Sequence, residues 1–347
     1  MNRNIKILIS TLIVLIMAAI AGYYGYAYYR YTKLNLTARD GEQHGYYVYP
    51  DTPLSALLDS IAQDYIIASP RCLKRDIAKV GITAPKVGYY KIPAAIGDKA
   101  LLTRFLNGQQ TPVHISFTTY QRNREQLSAR IAKYLLTDSA AIFALLDSTE
   151  YLQQFGVNKQ TAICLFLPDT YEVYWTITPE QLIERMYKEY THFWTDQRKQ
   201  QAAKLGLTPN EVYTLASIVA SETNKDFEYP IIAGLYLNRL RLGMNLQACP
   251  TAVFATGKFG ARRITKEMTS FPSPYNTYIH PGLPPGPIRA TRKPVIDSTL
   301  NATHSHYLYM CANPDFSGTH VFSTSYQQHA QVARQYQREL NRRRILK

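Results

Sequence analysis

Cysteine is scarce in this chain: Cys72, Cys164, Cys249 and Cys311 are the only four in 347 residues. They lie far apart, with no C-x-x-C pair and no Cys/His cluster, so neither a zinc site nor a dithiol redox motif is expected. Their spacing leaves two readings open, a disulfide between some pair or four buried thiols. Acidic residues are also under-represented, 25 against 39 Lys and Arg, which gives a net charge of +14. Such a balance suits a polyanionic partner: nucleic acid, an anionic membrane surface or an acidic polymer. The basic residues are spread along the sequence, and the only dense run, RELNRRRILK at the C-terminus, reads as a solvated helix end. Internal repeats and low-complexity linkers are missing as well. With 46% apolar residues the chain is a folded protein long enough for two or three modules.

Charge is missing altogether from Ile7 to Tyr29, a run of 23 positions. At about 1.5 Å per residue, that helix spans a hydrocarbon core of roughly 30 Å. No A-x-A-like cleavage site ends the run, and Tyr23, Tyr24, Tyr26, Tyr28 and Tyr29 suit an interfacial aromatic belt, so an uncleaved anchor is expected over a signal peptide. Arg3 and Lys6 on one side face Arg30, Lys33 and Arg39 on the other, and positive-inside counting does not orient the segment.

After a linker over 30–45, the stretch YYVYPDTPLSALLDSIAQDY reads as a strand, a Pro-containing turn and a helix with Leu54, Leu57, Leu58 and Ile61 on one face. GYYKIP, GDKALLTRFLNG and PVHISFTTY then give strand, helix and strand, closing a small α/β module over 46–120. Its strand and D-T-x-L turn before a helix resemble a LysM-type sugar-binding unit; a generic βα scaffold is the plain alternative. Residues 121–205 read as helices in QLSARIAKYLL, SAAIFALLDSTEYLQQFG and PEQLIERMYKEYTHFWTDQRKQQAAKLG. AICLFLPDTYEVYW interrupts them as an extended, strand-like segment.

The chemical signals concentrate in 206–347. Thr208-Pro209-Asn210-Glu211 has the form of a capping box with Pro at the first helical position. Val212, Leu215, Val219 and Glu222 follow at steps of three, four and three, so the apolar face of LASIVASETNK ends in a carboxylate. Burial raises a carboxyl pKa, as a general acid near neutral pH requires. The plain alternative pairs Glu222 with a structural arginine such as Arg239. A second helix, from about Tyr229 to Leu242, starts with Pro230 and stops at Gly243. GMNLQACPTAVFATG, SPYNTY and GLPPGPI follow as turn-rich segments fit to wall a cleft. Gln247, Tyr275, Asn276, Thr277 and Tyr278 supply the flat faces, amides and hydroxyls that sugar rings need.

Taken in order, LASIVxxET, IAGxYLNRLxxGMxLQ, SPYNTY, GLPPGPI, YLYMCA and HVFSxxxxxH resemble the endolytic murein transglycosylase family, also called YceG-like. The resemblance runs from about Tyr46 to the C-terminus. It implies an α+β architecture: one N-terminal transmembrane helix after a short cytoplasmic tail (1–6), a LysM-like module, and a mainly helical, lysozyme-like catalytic domain. It further implies an inner-membrane protein whose catalytic part is periplasmic, with peptidoglycan glycan strands as substrate. Peptidoglycan synthases are its implied partners, without a cofactor or nucleic acid. Glu222-Thr223, Gly243 to Gln247 and Tyr275-Asn276 are similar to the cleft segments of the wider lytic transglycosylase group. That likeness makes Glu222 the catalytic acid, with Thr223 and Asn238 joining the five residues above as the expected substrate-binding set.

Two positions depart from the family pattern: Ala220 and Cys249 stand where relatives often place acids. A catalytically impaired glycan-binding scaffold is therefore the second expectation. His320 and His329 match the pattern, and as lone histidines are expected to serve packing or hydrogen bonding.

Overall fold

The structure is a computed structural model that describes residues 3–32, 35–117, 121–261 and 263–343. The end of the expected PVHISFTTY strand and the last four residues of the basic tail lie outside them. So do the side chains of Arg3, Lys6, Tyr28, Tyr29, Arg30 and Lys33. The chain forms two compact units, one of residues 1–113 with 172–176, the other of 114–171 with 177–347. The expected helical connecting region thus falls in the same unit as the segment after residue 206, apart from 172–176.

The first unit begins with helix α1 (Arg3–Thr32), the one helix among the described residues long and apolar enough to cross a membrane. Its window Ile9–Tyr26 has no buried surface, and Tyr23, Tyr24 and Tyr26 stand exposed at one end. Then follow β1 (Leu36–Ala38), β2 (His44–Val48), α2 (Leu54–Asp64), β3 (Tyr65–Ile67), α3 (Pro70–Val80), β4 (Gly88–Ile92), β5 (Ala95–Ile96) and α4 (Asp98–Asn107). β2 and β4 pair antiparallel with Tyr46 opposite Tyr90, and a second antiparallel sheet has the order β3-β1-β5. Alternation explains the strands: Tyr46 and Val48, and Tyr90 and Ile92, point into a core shared with Leu57, Ile61, Leu101 and Phe105. α2 buries Leu54, Leu57 and Ile61, while Leu58 is only half-buried. Helix α3 is absent from the sequence expectation, because its polar run RCLKRDIAKV buries little beyond Leu73.

The chain leaves this unit along β6 (Val113–Ser116) and returns to it briefly along β7 (Thr170–Val173). The second unit is mainly helical. α5 (Arg124–Ala132), α6 (Ser139–Leu146), α7 (Thr149–Gln153), α8 (Pro179–Phe193) and α9 (Asp196–Lys204) are split where Asp138, Ser148, Thr178 and Thr195 cap new starts. The expected extended segment is a 3₁₀ turn over Ala162–Leu165, and only its second half, β7, is strand.

At the centre lies α10 (Pro209–Glu222), opened by the full capping box of Thr208 and Glu211. Val212, Leu215 and Val219 have no exposed surface, and the helix packs against α11 (Tyr229–Arg241) and α14 (Lys293–Leu300). The loop over 288–291 is pinned along α10 by two buried bonds: Ile288 N donates to Ser217 Oγ at 3.0 Å, and Thr291 N to Tyr213 Oη at 2.9 Å. GMNLQACPTAVFATG is no continuous loop, since α12 (Cys249–Thr256) starts within it on Pro250. After α13 (Lys266–Thr269), YLYMCA and HVFS form a hairpin of β8 (Tyr309–Ala312) and β9 (His320–Ser323), packed by α15 (Tyr326–Arg342). Midway along α11 sits Gly234, where an added Cβ would meet the Thr303 carbonyl at 2.2 Å.

Candidate active site

Glu222 is the last residue of α10, and the apolar stripe that seats the helix also fixes where this carboxyl emerges. It is half-buried at the junction of two pockets. One, of about 430 Å³, is lined by Tyr236, Arg239, Gln247, Tyr278, Tyr309 and His320 among others. The other, of about 280 Å³, is lined by Arg122, Ser221, Val253, Phe254, Phe259 and Arg289 among others. Glu222 and Cys249 belong to both, and among the described residues Glu222 is the only carboxylate lining either.

The surroundings decide what this acid can do. Tyr236 donates its hydroxyl to Glu222 Oε1 at 2.6 Å. Burial raises the Glu222 pKa above the ordinary glutamate value, and the Tyr236 hydrogen bond and the charge of His320 pull down without cancelling it. Arg239 does not pair with Glu222. Its guanidinium donates to the carbonyls of Leu308, Asn245 and Leu246 and to Gln247 Oε1, so it knits the pocket wall and leaves the acid without a salt bridge.

A second glutamate lies six residues on. Glu228 is 1% exposed and accepts from Thr223 Oγ1 at 2.6 Å and from the His320 amide at 2.6 Å, with His320 Nδ1 at 3.1 Å. Burial pushes its pKa up, but these hydrogen bonds and the His320 charge outweigh burial and hold it below the usual value. Glu228 therefore fixes the face of His320, and that ring lines the larger pocket with Glu222. His329 lines the same pocket, stacked on Tyr309 at 5.4 Å with its Nδ1 lacking a partner among the described residues. Burial first, then the Arg239 charge, lowers its pKa.

The sequence-derived candidates divide into two groups. Gln247 and Tyr278 line the larger pocket. Gln247 is exposed and takes a left-handed backbone with φ of 52°, held by its amide bond to the Thr277 carbonyl. The Tyr278 hydroxyl is 3.1 Å from Cys249 Sγ, and burial raises both their pKa values. Tyr275 is half-buried, packed on Phe254 with ring centroids 4.8 Å apart. The other group is buried and internally spent. Asn276 has no exposure and gives Nδ2 to the carbonyls of Met268, Thr269 and Phe271. Thr277 receives the Ala248 amide and bonds to Thr251. Asn238 holds the carbonyls of Ser305 and Tyr307, and Thr223 serves Glu228. These four shape the loops and have no group turned to a ligand.

The residues that sequence reasoning missed are Tyr236, Tyr309, Arg122 and Arg289. Tyr236 was findable: it stands three positions before Arg239 on α11 and shares its face. The others reach the site through long-range packing.

With this geometry in view, the match to known proteins is specific. The sequence model of the YceG-like family covers residues 46–335. The chain belongs to the YceG-like family. Among relatives, it is 24% identical over 298 residues to the endolytic murein transglycosylase of Bacillus subtilis, covering 82% of each chain. It is 27% identical over 350 residues to the one of Streptococcus pneumoniae, covering 88% of this chain and 60% of that longer protein. A YceG-like protein from Listeria monocytogenes, solved by crystallography, superposes with a TM-score of 0.57 at 22% identity, over 84% of this chain and 99% of that one, and so shares the fold. Among the described residues no group of three or more His, Cys, Asp or Glu is placed to hold a metal, and the four cysteines are free thiols.

Proposed function

We propose that this protein is a membrane-anchored lytic transglycosylase that cuts peptidoglycan strands internally at the bond from the muramoyl residue to the next N-acetylglucosamine. The observation that carries the reading is the lone carboxylate: two pockets meet at Glu222, and neither has a second acid in its wall. A glycosidase that uses water usually needs two carboxylates, one as acid and one as base or nucleophile. One suffices when the nucleophile belongs to the substrate. Protonated Glu222 gives its proton to the glycosidic oxygen as the bond to the anomeric carbon breaks. The resulting carboxylate takes the proton of the muramoyl 6-hydroxyl, whose oxygen closes on that carbon to form a 1,6-anhydro end. Burial raises the Glu222 pKa in the direction a proton donor needs, and the Tyr236 hydroxyl steadies the carboxylate between the two transfers. Gln247 and Tyr278, which line the larger pocket with Glu222, supply dipoles for the oxocarbenium-like charge. Tyr275 packs against Phe254, which lines the smaller pocket.

The first unit fits a LysM-like role as a glycan holder. β2 and β4 pair across two intervening helices, and the exposed Tyr47 and Tyr49 pack against the half-buried Tyr89 and the buried Trp175 with ring centroids 4.6–5.0 Å apart. α1 is read as an inner-membrane anchor with the N-terminus cytoplasmic and the rest periplasmic, where nascent strands and their synthases are met. Cutting there would set strand length and end elongation. The test is to incubate the full chain in detergent micelles with glycan strands and identify the new ends by mass spectrometry. Anhydro-muramoyl ends are expected; reducing ends, or binding without cleavage, overturn the reading.

A further inference from the structure

The two pockets that meet at Glu222 differ in charge, and the difference points to a part of the substrate that the sugar chemistry does not use. The larger pocket is walled by tyrosines, two histidines and the Gln247 amide, which suit neutral sugar rings, and its one guanidinium, Arg239, is bonded to the carbonyls of Leu308, Asn245 and Leu246. The smaller, of about 280 Å³, carries two guanidinium groups, Arg122 and Arg289, and its only acid is Glu222 itself. We infer that the smaller pocket binds the carboxylates of the peptide stem carried by a muramoyl residue, so that the protein acts on stem-bearing strands in preference to strands whose stems are uncharged. This inference rests on the transglycosylase reading.

Three observations make the pocket a built feature. Ala290 N donates to the Gln121 carbonyl at 2.8 Å, tying together the two chain segments next to Arg289 and Arg122, which are distant in sequence. The Arg122 guanidinium lies 4.3 Å from the Phe259 ring centroid, which orients its plane. Arg289 sits on the loop pinned to α10 and reaches the Ala220 carbonyl at 3.5 Å, two residues before Glu222. Two guanidinium groups on one small pocket wall offer planar forks of the geometry that a carboxylate matches. A neutral N-acetyl sugar or a 6-hydroxyl has no use for two fixed positive charges. Glu222 is itself engaged on the other side, where its Oε1 accepts from the Tyr236 hydroxyl. The pair also gives the cleft a polarity: a strand bound with a stem at the arginine side has one defined direction across Glu222.

The test uses the full chain in detergent micelles and uncrosslinked glycan strands in two forms, with free stem carboxylates and with the same carboxylates chemically amidated. Initial rates of anhydro-end formation are read by liquid chromatography and mass spectrometry. Wild type is expected to favour the free-acid strands by about tenfold or more, the worth of one charge-assisted hydrogen bond. In R122Q/R289Q the ratio should fall to about one, and in R122K/R289K it should keep part of the preference. Equal rates on both strands by a wild-type enzyme that still forms anhydro ends overturn the inference and leave the proposed function standing. That arm needs no variant to fold. No anhydro ends on either strand would bring down the function itself and this inference with it.

Discussion

The two ends of the short passage from Glu222 to Glu228 show how little burial alone says about a carboxylate. Both glutamates leave solvent at the foot of the same helix, yet their proton affinities move in opposite directions. Glu222 has the Tyr236 phenol as its hydrogen-bond partner, with His320 acting only through its charge, so desolvation wins and its pKa rises. Glu228 meets a hydroxyl, an amide and an imidazole, so hydrogen bonding wins and the charged form is favoured. One end has its proton affinity raised where the two pockets meet, and the other has it lowered where its hydrogen bonds hold the His320 wall.

The largest test of that contrast is Glu222→Gln. It keeps size and polarity but cannot give a proton, and anhydro-end formation should fall by about 10²–10⁴-fold with the circular dichroism spectrum unchanged. Glu228→Ala should act on the fold first, costing about 3 kcal/mol in urea unfolding because the His320 amide, Thr223 and the imidazole all lose their partner. The pH dependence separates the two glutamates. Stability owed to Glu228, whose pKa is depressed in the fold, is present above the unfolded value near about 4.3 and lost as pH falls through the folded one. Stability linked to protonated Glu222, whose pKa is raised, is present below the unfolded value and lost as pH rises through the folded one. Thr223→Ala, which removes one hydrogen bond to Glu228, should cost about 1.5 kcal/mol and move the acid loss of stability to higher pH. The smallest change is Tyr236→Phe. Without the bond that favours the carboxylate, the alkaline limb of the rate profile should shift to higher pH, with the maximal rate reduced by about tenfold or less. A shift to lower pH would mean that Tyr236 does not act through Glu222.

Local rules carried the sequence a long way at α10. The capping box, the apolar stripe and the acid that ends it follow from a single turn-by-turn count, and the structure keeps each of them. α11 is equally plain, from Pro230 to its stop before Gly243, whose φ is 65°. What the sequence hid are partnerships made across the chain. Glu228 and His320 are 92 residues apart, and no spacing rule joins them. Asn276 and Thr277 have the right chemistry for a sugar, yet turn it inward, because the carbonyls and amides of tight loops need partners before a ligand does. The helix α12 stayed hidden behind Gly and Pro that serve as its boundaries.

Gly234 has a consequence well away from its own surroundings. Because α11 lies so close to Thr303 there, the helix has no room for even a methyl group on that side. Tyr236 and Arg239 stand on the same helix, and the segment after Thr303 leads straight into the hairpin that carries Tyr309 and His320. The contact works as a gauge: it sets how closely the helix that carries the Tyr236 and Arg239 wall approaches the segment leading to the Tyr309 and His320 wall, and so bears on the width of the pocket between them.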